Sequence, residues 1–167
     1  MRLRPAITEE EAFAALLGND PDAAAEAEEA LWALWCRASN PELEKLFSAG
    51  VEAMESHDLE EAETIFSRVI ERAPEFAEGW NKRATVRYLA GNYEGSIADC
   101  EQTLSRNTEH FGALSGEGLC YMAIDKPQQA AGFFMRALSI HPHLSGAQRN
   151  LAAAMEEAAG AGEETED

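Results

Sequence analysis

The chain has 167 residues, of which 13 are basic and 31 are acidic, so its formal net charge at neutral pH is −18. Hydrophobic residues make up 46% of it, with only 12 glycines and 6 prolines, which is enough apolar material for the core of one domain. The few glycines and prolines exclude collagen-like and Pro/Gly-rich disordered proteins, and a count of only three cysteines excludes disulfide-framework proteins. Nucleic acid is not expected as a partner, because phosphate binding needs clustered Lys and Arg and this chain repels phosphate.

No stretch of the sequence is long and apolar enough to cross a bilayer. The longest apolar run covers residues 30–36, whereas a transmembrane helix needs about 20 apolar residues. The basic start at 1–4 is followed by glutamates at 9–11 rather than by an apolar segment, so no targeting peptide is expected. The odd number of cysteines fits a reducing compartment. We therefore expect a cytoplasmic protein that does not bind membranes.

Two short helices are predicted at the start of the chain. Thr8 and the glutamates after it form a capping box that opens a helix over 9–17. Asp20, which precedes a proline, opens a second helix over about 22–38. We interpret residues 1–42 as an N-terminal helical cap.

Two tryptophans in the second of these helices need to be covered. One hypothesis is that Trp32 and Trp35 seal the open end of the helical array that follows, against Leu46 and its neighbours. The other hypothesis is that the two rings form an exposed surface for a partner. The sequence alone leaves both open.

From residue 43 onward the sequence repeats itself with a period of 34 residues. Small residues and large apolar residues each return at this spacing, and Pro74 and Pro142 are two periods apart. Small residues let the two helices of a hairpin approach closely, and large ones fill the gap to the next hairpin. The recurring small residues are Gly50, Ala84, Gly118 and Ala152 and, in a second set, Ala62, Ser96 and Ala130, while the recurring large or apolar residues are Leu46, Trp80 and Leu114 and, in a second set, Phe66, Cys100 and Phe134.

A 34-residue period with these residue types resembles the tetratricopeptide repeat, or TPR. The resemblance places three repeats at 43–76, 77–110 and 111–144, followed by a capping helix over 145–160 and an acidic disordered tail over 161–167. It implies an all-α, right-handed solenoid of three helix-turn-helix repeats, with two N-terminal helices before it.

The second repeat departs from the TPR pattern. Arg87 and Cys100 stand where aromatic residues are usual, and Thr108 stands where proline is usual. The flanking repeats fix its register, so the departure affects local packing rather than membership.

Hydrophobic periodicity predicts helices independently of this resemblance. Over 59–73 the apolar residues recur every three or four positions, which is the stripe of an amphipathic helix. The helices predicted after the N-terminal pair cover 42–55, 59–72, 77–90, 93–106, 111–124, 127–140 and 144–159.

Two charged residues occupy a position of the repeat where leucine is usual. Arg83 and Glu117 are one period apart, and a charge in a half-buried site needs a partner. We expect Arg83 and Glu117 to lie close together, directly or through Arg87. The alternative is that each side chain reaches solvent separately.

The sequence offers no catalytic centre. No Ser/His/Asp arrangement, Gly-rich phosphate loop or convergent ligand set stands out, so we expect no enzymatic activity, no metal site and no cofactor. The four histidines are expected to be solvated in loops. They are His57, His110, His141 and His143.

The cysteines are interpreted as structural. Cys100 and Cys120 fall at inward-pointing positions of adjacent repeats, where they would be buried as small apolar groups. A regulatory disulfide between them is the alternative. Cys36 has no base near it in sequence.

The resemblance implies a binding groove, because the first helix of each TPR hairpin lines the concave surface. We expect an adaptor or assembly factor whose groove binds an amphipathic helix or an extended apolar segment of another protein. The clamp that some TPR proteins use for a chaperone's C-terminal carboxylate is not expected, since Phe47, Val51 and Gly116 occupy its places. The groove residues carried over are Phe47, Val51, Met54, Asn81, Thr85, Tyr88, Leu119, Met122 and Arg149.

Other interpretations stay open at this point. The helix over 9–17 carries apolar residues and could fill the groove itself, or the groove could be plain solenoid packing with no partner. A different class of function is a homo-oligomeric scaffold assembled through the apolar N-terminal helices. We expect a monomer or a weak homo-oligomer.

Overall fold

The computed structural model describes residues 7–163 of the chain, with side chains described up to residue 160. Within that part the chain forms nine α-helices and no strand, as the sequence predicted for the fold class. No helix of this part is both long and apolar enough to cross a membrane. Residues 164–167 of the predicted tail lie outside the described residues. The helices are α1 (Glu9–Leu16), α2 (Pro21–Trp35), α3 (Pro41–Glu55), α4 (Leu59–Arg72), α5 (Ala77–Leu89), α6 (Tyr93–Arg106), α7 (Phe111–Ala123), α8 (Pro127–Ile140) and α9 (Ser145–Glu163).

The last helix is longer than the sequence predicts. The glycines at 160 and 162 favour an end near residue 159, but α9 continues to Glu163. A glycine inside a helix costs only about 1 kcal/mol, which by itself does not end a helix. The buried side of α9 consists of small residues, Ala147 and Ala154.

The turn inside each of the helix pairs α3–α4, α5–α6 and α7–α8 uses the same backbone conformation. His57, Gly91 and Asp125 have φ values of 59°, 81° and 59°. Residues in this left-handed region commonly end a helix, and only glycine adopts it without steric cost. The three residues are one sequence period apart, so the backbone repeats in step with the sequence.

The two helices of a pair approach so closely in α3–α4 and α7–α8 that only glycine fits at the crossing. A Cβ on Gly50 would lie 2.7 Å from the Phe66 ring, and a Cβ on Gly118 would lie 2.6 Å from the Phe134 ring. Both phenylalanines are fully buried. The aromatic ring of the second helix therefore packs directly on the backbone of the first.

The middle pair meets the same constraint with a different combination of residues. Ala84 stands where the other pairs have glycine, and Cys100 stands where they have phenylalanine. Each is 2% exposed. The extra Cβ of alanine is tolerated because cysteine is much smaller than phenylalanine. In the second repeat the smaller side chain of Cys100 thus compensates for the larger side chain of Ala84.

Helices α3, α5 and α7 form an inner layer, and α4, α6 and α8 form an outer one. Each of these helices packs on the next along the chain, and α5 also contacts both α3 and α7. Helix α9 packs on α8 and reaches α7. The residues that face away from the outer layer on α3, α5 and α7 therefore share one surface.

The N-terminal helices fold back onto the start of α7 rather than onto the open end of the array. The Trp35 ring stacks on His110 at 4.5 Å between centroids, and the Trp32 ring meets Phe111 edge-on at 5.7 Å. The prediction that the tryptophans pack against Leu46 is wrong, since Leu46 belongs to a separate core around α3 and α4. His110 and Phe111, at the start of α7, supply the aromatic surface on which the two indoles pack.

Arg83 does not pair with Glu117, contrary to the sequence-based expectation. Its guanidinium donates two hydrogen bonds of 2.8 Å to Asp99 on the partner helix α6. Arg87 donates to the same carboxylate at 3.0 Å and to Glu63 at 2.8 Å. The nearer acid within the helix pair satisfies Arg83, so no pair between Arg83 and Glu117 forms.

Glu117 is left as a buried carboxyl without an ion pair in the described part of the chain. Its side chain is 2% exposed, and its Oε2 has no hydrogen-bond partner there. Burial, reinforced by the charge of Glu101, raises the pKa of this carboxyl to about 7, and Arg136 opposes the shift only in part.

We expect Gly118→Leu to lower the free energy of unfolding by about 1–3 kcal/mol or more, because even its Cβ would overlap the Phe134 ring. Gly132→Leu is the matched control, since a Cβ there meets no atom within 4 Å. Urea unfolding followed by circular dichroism measures both variants. An unchanged midpoint for Gly118→Leu would show that the register of α7 against α8 is wrong.

Glu117→Gln is expected to stabilise the fold at high pH and to change little at low pH. The folded-state pKa of about 7 lies above the ordinary 4.5, so the native state holds an extra proton and stability falls as the pH rises between these values. The neutral variant has no carboxyl to ionise, so it keeps the stability that the wild type loses. This difference in the free energy of unfolding is roughly 1 kcal/mol or more after solvent screening. Urea unfolding at one pH below 4.5 and at one pH above 7 measures the difference in stability between the variant and the wild type. An equal gain in stability at both pH values would contradict the raised pKa of Glu117.

Candidate functional site

A narrow apolar depression, the central slot, opens between α5 and α7 on the inner layer. It encloses about 220 Å³ and reaches down to α6. The slot exists because α7 presents Gly112, Ser115 and Gly116 toward α5, and because Cys100 on the floor is not an aromatic residue. The remaining lining residues are Asn81, Ala84, Thr85, Tyr88, Ser96 and Leu119.

A second depression, the acidic recess, lies beside it on α3. It encloses about 350 Å³ and combines an apolar floor with carboxylates at its edge. Phe47, only 5% exposed, and Val51 form the floor. The remaining lining residues are Cys36, Glu44, Ser48, Glu52, Glu55 and Lys82.

Six of the nine residues predicted for the groove line these two depressions. They are Phe47 and Val51 in the acidic recess, and Asn81, Thr85, Tyr88 and Leu119 in the central slot.

The other three predicted residues lie elsewhere. Met54 is half-buried against the core of α3 and α4, and Met122 is half-buried against the core of α8 and α9. Arg149 is exposed on α9 and lines neither depression. The structure therefore distributes six of the predicted residues over two depressions and leaves the other three outside both.

Tyr88 stands at the lip of the central slot. It is half-buried, and its ring lies 5.6 Å from that of Tyr93 at the start of α6. Burial raises the pKa of the Tyr88 phenol, so the side chain is neutral at physiological pH. It presents an aromatic face and a hydroxyl group to anything that enters the slot.

Helix α2 borders both depressions but does not fill them. The Trp32 ring covers Gly112 at the end of the central slot, where a Cβ would lie 2.6 Å from the indole. Lys82 of the acidic recess sits 5.6 Å from the centroid of the same ring. No residue of α1 lines either depression, and Phe13 of α1 packs on Trp35 instead. The alternative in which the first helix occupies the groove is not what the structure shows.

A buried polar cluster fixes α2 in this position. Glu78, in the first turn of α5, is fully buried, and its carboxylate accepts a hydrogen bond from His110 Nε2 at 2.5 Å and one from Asn81 at 3.0 Å. His110 Nδ1 accepts the backbone N–H of Ala113 at 3.0 Å, which places the ring proton on Nε2. The Trp35 ring then stacks on an imidazole that is held at both nitrogens.

Burial and hydrogen bonding act in opposite directions on this cluster. Desolvation favours the protonated form of Glu78, but the hydrogen bonds from His110 and Asn81 and the positive charge of Lys82 outweigh it and lower the pKa of the carboxyl. The Cys36 thiol, 3.7 Å from the same carboxylate, has its pKa raised to about 11 by burial and by that charge. This thiol is therefore protonated and a poor nucleophile.

The histidines are the clearest departure from the sequence-based expectation. His110 and His141 are buried rather than solvated, and His143 is half-buried, whereas His57 is exposed as predicted. His141 Nε2 lies 2.9 Å from a carboxylate oxygen of Glu28 on α2, and His143 Nε2 lies 2.7 Å from a backbone carbonyl before α2. No local pattern reveals these partners, because they are 113 and 125 residues apart in sequence.

The two core cysteines are buried and free. Cys120 Sγ donates a hydrogen bond to Ser96 Oγ at 3.2 Å, and the thiol of Cys100 borders the central slot. Burial raises the pKa of both thiols. The structure contains the reduced state, in keeping with their interpretation as small apolar groups.

The chain is similar to a TPR repeat-containing protein of Rhizobium etli, with 30% identity over 142 residues that cover 85% of this chain and 70% of that protein. The chain belongs to the tetratricopeptide repeat family. No family model matches it.

Solved TPR domains share the fold. The TPR domain of Sgt2 from Aspergillus fumigatus superposes with a TM-score of 0.72 at 20% identity, over 75% of this chain and 85% of that one. The first TPR of Spaghetti, bound to an HSP90 peptide, superposes with a TM-score of 0.69 at 19% identity, over 70% of this chain and 93% of that one. The type III secretion chaperone SycD of Yersinia enterocolitica was solved in complex with a peptide of the translocator YopD. It superposes with a TM-score of 0.67 at 16% identity, over 71% of this chain and 96% of that one. At such identities the likeness shows the fold alone.

In this TPR protein, Glu78→Gln is expected to lower the free energy of unfolding by about 1–3 kcal/mol at neutral pH, because a charge-assisted hydrogen bond in a buried site becomes a neutral one. The pKa of Glu78 is lowered on folding, so the wild-type advantage is complete above the ordinary value of 4.5 and is lost as the pH falls below it. Urea unfolding at pH values above and below 4.5 measures the gap in the free energy of unfolding between the wild type and Glu78→Gln. A gap that does not narrow in acid would contradict the assignment of Glu78 as a buried, hydrogen-bonded carboxylate.

Proposed function

We propose that this TPR protein is an adaptor or assembly factor that binds a segment of another protein in the central slot. TPR-fold structures of the same shape hold peptides, among them the Spaghetti domain with its HSP90 peptide and SycD with its YopD peptide. Their ligands differ, so what carries over is the binding of a peptide by this fold and not the identity of the partner.

The open central slot is the observation that supports this proposal. Ordinary core packing leaves few voids, yet the slot stays open between two packed helices because three small residues of α7 face it. Its volume of about 220 Å³ is below the roughly 300–1,000 Å³ of small-molecule pockets. That size suits an apolar side chain or two from a longer segment that runs along the inner layer.

The lining also indicates what kind of segment enters. The slot carries no charged residue, and Asn81, Thr85 and Ser115 supply a few polar points near its apolar wall. A free carboxylate is a poor fit, because Phe47 and Val51 stand at two positions of the carboxylate clamp and glutamates surround them. The ligand of this protein therefore differs in chemistry from the acidic tails of chaperones.

The homo-oligomeric scaffold has no comparable support. It requires free apolar faces on the N-terminal helices, and the rings of Trp32 and Trp35 pack on Phe111 and His110 of the same chain. Leu17 and Leu34, apolar side chains that stay exposed in this segment, do not line the central slot.

We expect Gly116→Leu to abolish binding by filling the slot. A Cβ at Gly116 meets only Cys100 Sγ, at an ordinary 3.7 Å, so the variant folds, and replacing a helical glycine raises helix propensity. Selection of random peptides displayed on phage supplies ligands, and fluorescence anisotropy of a selected peptide gives Kd. Gly132→Leu, the same change at an open site on α8, is the control and retains binding.

Tyr88→Ala tests the lip of the slot in the same assay. Loss of this aromatic anchor is expected to weaken binding by about 1–3 kcal/mol, while the free energy of unfolding falls by about 0.5–1.5 kcal/mol, because the half-buried ring also loses its contact with Tyr93. Failure of the wild type to select any peptide, or equal binding by wild type and Gly116→Leu, would overturn the proposed function.

A further inference from the structure

We propose that the acidic recess receives the Lys or Arg side chains of the bound segment, so that the partner of this TPR protein is a cationic apolar peptide. This inference rests on the proposed function, since the recess lies beside the central slot on the same surface. It adds the chemistry that distinguishes one apolar segment from another.

The three carboxylates of the recess lie on one face of α3. Glu44, Glu52 and Glu55 are separated by eight and three residues, which at 100° per residue brings them to the same side of the helix as Val51. All three side chains are exposed. A long basic side chain can lay its methylene groups on the apolar floor and reach these oxygens with its charged end.

Among the described residues, no cation neutralises the recess. Lys82 is the one cation that lines it, but its Nζ lies 3.9 Å from the buried carboxylate of Glu78 and over the Trp32 ring. Within the described residues Glu52 and Glu55 have no ion pair and no side-chain hydrogen bond. One oxygen of Glu44 accepts the backbone N–H of Ala38 at 3.0 Å, which leaves its charge available.

The other basic residues near the groove are also committed. On α5, the helix between the two depressions, Arg83 and Arg87 turn outward and share Asp99. The carboxylates of the recess therefore have no ion pair within the described residues, and the central slot has no charged lining residue. A ligand that spans both depressions meets an apolar site and then an acidic one.

The spacing of the two depressions sets the order of residues in the ligand. Neighbouring packed helices lie about 8–10 Å apart, and an extended chain covers that distance in about three residues. We expect an apolar residue in the central slot and a basic residue about three positions from it. The net charge of −18 would also speed the approach of such a segment, with a strong dependence on salt.

The test compares peptides selected from a random phage-displayed library by three proteins. The first is the wild type, and the second is the triple variant Glu44→Gln, Glu52→Gln, Glu55→Gln. The third is a control, Glu60→Gln, Glu71→Gln, Glu75→Gln, which makes the same change in net charge at exposed positions on and just after α4. Glutamine keeps the shape and the acceptor oxygen at each site.

We expect wild type and control to select apolar residues with Lys or Arg about three positions away, and the triple variant to select the apolar residues alone. For a selected peptide, the triple variant should raise Kd by about twofold for each exposed pair, or about eightfold in all, and the control by less than twofold. Added NaCl should weaken the wild-type complex more than that of the triple variant.

The contrary results separate the two proposals. An apolar consensus without basic enrichment, or a basic enrichment that the triple variant retains, overturns the cationic partner and leaves the slot intact. A consensus that survives Gly116→Leu, or no consensus at all, overturns the proposed function itself.

Discussion

The close approach of the two helices in each hairpin is the constraint on which the rest of the structure depends. The ring of Phe66 rests on the backbone at Gly50, and the ring of Phe134 rests on the backbone at Gly118. These contacts hold the inner and outer layers at a fixed separation. The face of α3, α5 and α7 that points away from the outer layer takes no part in these contacts. A side chain at either glycine would force the layers apart.

The same constraint explains where the candidate site opens. In the middle hairpin the small residue is Ala84 and its counterpart is Cys100 rather than phenylalanine. This pair packs adequately but leaves room toward α7, where glycines at 112 and 116 add more, and the central slot forms there. Cys100, one of the three residues that depart from the TPR pattern, is therefore a residue of the candidate site, and its buried thiol belongs to the floor of the slot.

The N-terminal helices depend on buried polar groups rather than on this packing rule. Glu78 and His110 come from different hairpins, and together they form the platform on which Trp35 stacks. Glu28 and His141 tie the same helices down a second time. A buried carboxylate needs partners for both oxygens, so the cluster specifies one docking position for α2. That position leaves the groove open beside Trp32.

The sequence by itself determined the helices, their 34-residue period and the identity of the close contacts at Gly50 and Gly118, because these follow from local periodicity and from residue size. It also named six of the residues that line the two depressions. Only the tertiary structure decided the pairing of Arg83 with Asp99 and of Glu78 with His110, and the place of the tryptophans. Such contacts depend on which side chains meet when hairpins stack and the chain folds back, and no periodic pattern encodes a single meeting between residues so far apart.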